Sequence, residues 1–352
     1  MAISKIPSAG FQDNVKFRNI IINGDMSIAQ RGTSTSSITG DGYHTIDRFK
    51  TSISGLGTWT QSQSTDVPSG QGFAKSLKMD CTTADGSPAS SDVLIINQRI
   101  EGQNLQYLKK GTSSAESLTL SFWVKSNKTG TYIAELRDFD NTRSICKAYT
   151  ISSASTWEKK TLTFAGDTTG TLDNDNGASF YLQLFLGAGS NYTSGTLNTS
   201  WNSRTNANLA VGQVNLADST DNEWYITGVQ LEAGTSASDF EFLPVDVNLQ
   251  RCQRYYEHTF VYGTAYNTST NVGKFLFTGG GNSTQRAITL HFTEQKRTIP
   301  TITYTQIQVD GGGTLIAQAF TSDKQLTVEV SGGSAGRQFF GHYKAEAELW
   351  LQ

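Results

Sequence analysis

The 352-residue chain has little of what marks an enzyme, a metalloprotein or a membrane protein. Its three cysteines, Cys81, Cys146 and Cys252, are odd in number, far apart and without any Cys-x-x-Cys spacing. That excludes a disulfide scaffold and predicts buried, reduced side chains suited to a reducing cytoplasm. The four histidines, His44, His258, His291 and His342, show no ligand spacing, so no zinc site is expected. Only 5 prolines and 17% charged residues argue against an extended linker or a solvating tail. No apolar run reaches the length of a membrane span or of a signal-peptide core, so neither membrane insertion nor conventional secretion is expected. A net charge of −3 offers no general attraction to nucleic acid or to anionic lipid.

Catalytic motifs are also missing. Gly332-Gly-Ser-Ala-Gly336 has the letters of a nucleophile elbow, but it lies between two strand patterns instead of between a strand and a helix, and reads as a hairpin loop. The clusters Gly279–Gly281 and Gly311–Gly313 likewise join strands and open no phosphate-binding helix. Asp173-Asn-Asp-Asn-Gly177 begins like a calcium loop, yet its glycine comes one position early and Leu184 stands where the closing carboxylate belongs. It reads as a tight turn. Neither metal nor cofactor is expected, and the chain reads as a non-enzyme.

What is present is 34 glycines, an excess of Ser, Thr and Asn, and a hydrophobic fraction of 36%. This is the composition of many short strands joined by polar turns, and the length calls for two or three compact units. In Leu118-Thr-Leu-Ser-Phe-Trp-Val-Lys125, Leu118, Leu120, Phe122 and Val124 face one way and Thr119, Ser121, Trp123 and Lys125 the other. Tyr132 to Arg137, Lys160 to Phe164, Ser179 to Gly187 and Trp224 to Glu232 repeat the pattern, which predicts an antiparallel sandwich or jelly roll. After Pro244 a short helix is expected, with Asp246 as its N-cap and Leu249, Cys252, Gln253 and Tyr256 on one face. Strands return at Lys274 to Thr278, Gln285 to Phe292, Thr301 to Val309, Gln325 to Val330 and Phe339 to Leu351. In the last of these Glu346 and Glu348 are placed on the solvent side. The expected architecture is all-β: an N-terminal arm over 1–48, a jelly roll over 49–243, a linking helix over 244–257 and a second sandwich over 258–352.

One segment, Ala188 to Asn222, is polar, aperiodic and long for a loop in a compact domain. It carries Tyr192 and Trp201 beside Asn198 and Arg204. An aromatic face stacked on a sugar ring, with amide and guanidinium groups bonding its hydroxyls, is one role for such a set. Anchoring of the loop by its aromatics is the other and commoner one. Trp123, on the polar side of its strand, and Trp59, in Gly57-Thr-Trp-Thr60, carry the same two readings. These six residues are the candidate glycan contacts.

Asn19-Ile-Ile-Ile-Asn-Gly-Asp-Met-Ser-Ile-Ala-Gln-Arg-Gly32, then Tyr43-His-Thr-Ile-Asp-Arg-Phe49, Leu120-Ser-Phe-Trp-Val-Lys-Ser126, Ile226-Thr-Gly-Val-Gln-Leu-Glu-Ala-Gly234 and Cys252-Gln-Arg-Tyr-Tyr256 occur in this order. Together they resemble a family of bacteriophage tail-fibre and tail-tip proteins whose jelly roll is similar to carbohydrate-binding modules. The resemblance runs from about Phe17 to Glu257. It implies a virion tail component, made in host cytoplasm and released by lysis, and a homotrimer. The N-terminal segment would dock on other tail proteins, and host-surface polysaccharide or lipopolysaccharide would be bound without cleavage. A purely structural virion piece, such as a tail adaptor or head decoration, is the alternative, and a depolymerase is disfavoured by the absence of β-helix repeats. The signature residues themselves are expected to serve the scaffold: Asn23-Gly24 and Gly228 in turns or bulges, Arg31, Asp47 and Arg48 in an ion-pair network, and Gln230 and Glu232 in bonds to neighbouring loops.

Overall fold

A computed structural model describes residues 17–278, 286–309, 314–316, 320–331 and 338–350. The described residues are nearly all β, with two short helices. The first sandwich is built from β1 (Ser34–Ile38), β2 (Gly42–Tyr43), β3 (Lys50–Ser54), β4 (Thr58–Ser64), β5 (Ser76–Thr83), β6 (Val93–Glu101), β7 (Leu118–Ser126), β8 (Gly130–Asp138), β9 (Arg143–Ile151), β10 (Glu158–Phe164), β11 (Ala178–Ala188), β12 (Asn202–Ser203) and β13 (Glu223–Ala233). A six-stranded sheet runs β1-β4-β5-β13-β7-β10, and a seven-stranded sheet runs β12-β9-β8-β11-β6-β3-β2. Leu120, Phe122 and Val124 of β7 pack with Leu94 and Ile96 of β6 and Leu182 and Leu184 of β11 in one hydrophobic core. The expected alternation of β7 is what produces this packing.

Helix α1 (Ser190–Thr193) lies in the long segment after β11, and α2 (Val245–Gln253) follows the first sandwich. Asp246 sits in the first turn of α2, not at its cap; Pro244 occupies that position and offers no side-chain bond. The second sandwich has two sheets. One joins β14 (Tyr256–His258), β15 (Phe275–Thr278), β17 (Thr301–Val309) and β20 (Gln338–Glu346). The other joins β16 (Arg286–His291), β18 (Thr314–Ile316) and β19 (Gln325–Ser331). Phe275, Ile302, Leu326, Val328 and Tyr343 form their common core. The three glycine-rich stretches 279–281, 311–313 and 332–336 lie outside the described residues.

Two expectations change. Residues 34–43 are no free arm, because β1 and β2 are edge strands of the two sheets, so the first sandwich begins well before residue 49. The last strand also ends at Glu346, where the chain leaves the ladder to run back over the first sandwich; Leu351 is outside the described residues. Glu348, expected in solvent, is 2% exposed.

The signature segments explain both changes. The Asn19 side chain donates to Val229 O and accepts from Ile21 N and Leu231 N, clamping the N-terminal segment to β13. β13 is bulged between Thr227 and Gln230, and there the Val229 amide donates to Gly24 O. A Cβ on Gly24 would lie 2.0 Å from Val229 O, so only glycine fits the approach. Gln230 and Glu232 bond the 238–241 stretch, as expected of them. Deeper in, Glu348 pairs with Arg48 and, at 3.2 Å, with Arg31, which also lies 3.6 Å from Asp47. The Arg31 guanidinium sits 3.7 Å over the Tyr256 ring and that of Arg48 3.5 Å over Tyr255. Arg99 and the Tyr43 hydroxyl hold Leu349 O. N-terminal segment, first sandwich, α2 and C-terminal tail thus meet in one buried ionic knot, which contains the pairing expected of Arg31, Asp47 and Arg48 and adds Glu348 to it.

Removing one partner of a buried pair leaves an uncompensated charge and costs about 3–5 kcal/mol. Glu348→Ala is therefore expected to lower unfolding stability by about that much in urea titration. The exposed charge reversal Lys159→Glu should change it by less than about 0.5 kcal/mol.

Candidate functional site

The six sequence-predicted contacts are not brought together. Trp59 is fully buried between the sheets with its indole N–H donating to Leu56 O at 2.7 Å, so it meets no ligand. Asn198 is 7% exposed and stitches its loop to β9: its side chain donates to Ser144 O and its carbonyl accepts from Cys146 N. Arg204 is held by Glu135, Nε to Oε1 at 2.8 Å. Trp201 is half-buried, packs against Phe180 and donates from Nε1 to Ala165 O at 2.7 Å. Tyr192 packs with Leu209 and Ala210 over Val93, Ile95 and Phe185. The 188–222 segment is therefore a cap with α1, β12 and two 3-10 turns, closed over one end of the seven-stranded sheet's outer face. Its aromatics anchor it.

Trp123 is different. On β7 it points away from the core, opposite Lys159 of β10 and Thr227 of β13. Two residues along, Lys125 stands opposite Tyr225 of β13, and Tyr225 stands opposite Lys78 of β5. Trp157, immediately before β10, sets its ring 6.1 Å from that of Tyr225. Trp123, Trp157 and Tyr225 thus share the outer face of the six-stranded sheet, over strands β5, β13, β7 and β10. At about 4.8 Å per strand, that face spans roughly 14 Å. Beside it, Phe73, Phe240 and Phe242 cluster with ring centroids 4.8–5.1 Å apart, and Phe73 lies against Gly228 of the bulge. Gly228 has φ of +63°, and a Cβ there would meet the Phe73 ring at 2.5 Å.

Charges hold these aromatics in place. Trp157 Nε1 donates to Asp66 Oδ1 at 2.9 Å, and Lys125 bonds the other oxygen of Asp66 while its ammonium lies 4.2 Å over Tyr225. The Tyr225 hydroxyl donates to Glu223 at 2.9 Å, and Lys78 bridges Glu223 and Asp80 at 2.8 and 3.2 Å. Burial pushes the Asp66 carboxyl up, but the bonds from Lys125 and Trp157 outweigh it and hold the group below the usual range. Glu223 behaves likewise, with Lys78 and Tyr225 outweighing burial. Burial, then the bond to Glu223, pushes the Tyr225 hydroxyl up to about 12. At neutral pH the face therefore holds half-buried Trp123 and Trp157 beside a protonated Tyr225 that is 6% exposed, with fixed amines and carboxylates around them. It has the makings of a polyol site: flat apolar faces for C–H surfaces and a polar rim for hydroxyls. Only Trp123 was identified from sequence. Tyr225 was legible as the outward neighbour of buried Trp224, and Trp157 as an aromatic at a strand entry.

No family model and no curated protein matches the sequence. Among solved structures, the enzymatically active domain of tailspike protein 4 of bacteriophage CBA120 aligns at 15% identity and a TM-score of 0.33, over 62% of this chain and 22% of that one. The module TmCBM61 in complex with β-1,4-galactotriose aligns at 8% identity and 0.32, over 61% and 99%. A family 11 carbohydrate-binding module of a Clostridium thermocellum cellulosomal cellulase aligns at 12% and 0.26, over 57% and 99%. Likeness at this level assigns neither ligand nor activity to this chain.

A carboxylate with a lowered folded-state pKa adds stability that is present above its unfolded value, about 4, and lost as the pH falls through the folded value. Asp66→Asn should therefore flatten the acid limb of the stability profile between about pH 4 and pH 2. Chemical unfolding at stepped pH measures it, and superimposable acid limbs would contradict the Asp66 arrangement.

Proposed function

We propose that this chain is a receptor-binding component of a phage tail that holds host-surface glycan, without cleaving it, on the outer face of its six-stranded sheet. The observation that carries the reading is the shared face of Trp123, Trp157 and Tyr225, ordered by Asp66, Lys125 and Glu223. The virion setting rests on the order of the signature segments, from Asn19 to Tyr256. Self-association, as a homotrimer, is supported by apolar side chains that a monomer leaves in water: Val261, Tyr262, Val272 and Leu276 are 51–63% exposed, all within one stretch of the second sandwich. Repetition of a weak sugar site around a particle then supplies avidity.

A glycan array probed with the purified chain should show binding to one class of surface polysaccharide. Trp157→Ala and Trp123→Ala should each weaken it about tenfold, a loss of roughly 1.4 kcal/mol. Trp201→Ala should alter stability and leave affinity at the wild-type level. Light scattering is expected to give three times the 38.3 kDa chain mass. Binding that survives loss of both shelf tryptophans would overturn the site, and a strictly monomeric chain would overturn the assembly.

A further inference from the structure

A second concave site lies on a different part of the molecule. The N-terminal segment at 17–22, the end of β6, the turns at 102–108 and helix α2 enclose a cleft of about 510 Å³. Three arginines line it: Arg99, Arg251 and Arg254. Arg254 is neutralised, clasping both oxygens of Glu101 at 2.8 Å. The other two have no carboxylate partner among the described residues. Arg99 is 3% exposed and turned to the other face of β6, where one of its amino groups donates to Leu349 O at 2.7 Å and its guanidinium lies 4.9 Å over the Tyr181 ring. Arg251 makes one long bond, 3.5 Å to Asn19 O. Burial is the main influence on its guanidinium and lowers its pKa. The nearest carboxylate acting on it, Glu241, is already taken by the amides of Phe17 and Asn19 at 2.9 Å. At the mouth stand Tyr107, 48% exposed, and Phe17, 53% exposed, with Asn104 beside them.

A guanidinium partly withdrawn from water without a carboxylate partner is costly unless an anion completes it. Planar donor forks match the oxygens of carboxylate and phosphate. An exposed ring at the rim of the same cleft adds an apolar face of the kind a sugar ring stacks on. We propose that this cleft is a second ligand site, one that takes an anionic sugar, with Arg251 holding its acidic group and Tyr107 its ring. It differs from the aromatic shelf in kind. There the lysines Lys78 and Lys125 are matched by Glu223, Asp80 and Asp66, which suits neutral polyols.

The full chain is titrated with glucuronate, glucose 6-phosphate, glucose and inorganic phosphate, followed by saturation-transfer NMR and calorimetry. Saturable binding of at least one acidic sugar is expected, about tenfold tighter than glucose and weakened by added salt. The two acidic arms tell a carboxylate site from a phosphate site. Arg251→Gln should abolish the preference over glucose. Tyr107→Ala, at an exposed position that leaves folding intact, should weaken the acidic sugar about tenfold. Trp157→Ala should leave it unchanged, which separates this site from the shelf. Equal affinity for glucose, inorganic phosphate bound as tightly as the sugar phosphate, wild-type affinity in Tyr107→Ala, or no saturable binding would each overturn the proposal.

Discussion

The rest of the structure depends on the buried pairing of Glu348 with Arg48 and Arg31. Two guanidiniums withdrawn from water are sustained only because each finds a carboxylate, and each also covers a tyrosine ring. The partners come from four parts of the chain: Arg31, Asp47 and Arg48 from the N-terminal segment, Arg99 from β6, Tyr255 and Tyr256 from the step between α2 and β14, and Glu348 from the C-terminal tail. Such a knot forms only when all four are in place. It ties the two sandwiches together, and it explains why charged signature residues contribute to architecture and not to a ligand surface.

That division of labour separates the scaffold from the two places where the molecule has unspent chemistry. The shelf has two half-buried indoles beside a buried Tyr225, with Lys78 and Lys125 matched by carboxylates within the face. The cleft beside α2 has the reverse: in Arg251 a cation without a carboxylate, and a ring at the rim. A chain that recognises a heterogeneous surface polymer gains by having both, since neutral and acidic units of one polymer then contact different faces. Arg99 belongs to the knot, with one amino group on Leu349 O and its guanidinium over the Tyr181 ring.

Much of the fold was legible, and where it was not the reasons are physical. β7, β11 and β13 show their alternation because one face of each is apolar core. β4, Thr58-Trp-Thr-Gln-Ser-Gln-Ser64, hides its inward face, since Gln61 is fully buried and bonds Thr45 instead of packing as a hydrophobe. That is why Trp59 looked like a loop aromatic. β6 is buried on both faces, under the core on one side and under the 188–222 cap on the other, so period two vanishes. Glu348 looked like the solvent side of a strand because its partners lie some three hundred residues earlier. At the site, Trp123 could be placed outward from its own strand. Trp157 and Tyr225 join it through strand pairings that no local pattern encodes.

The most direct test of the functional account is a crystal structure of the chain with an oligosaccharide from the polymer that it binds on the array. A sugar ring stacked on Trp123 or Trp157, its hydroxyls on Lys125, Lys78 or Glu223, is the result that the account requires. A sugar seated instead on the 188–222 cap or on the second sandwich, with the shelf bare, would contradict it.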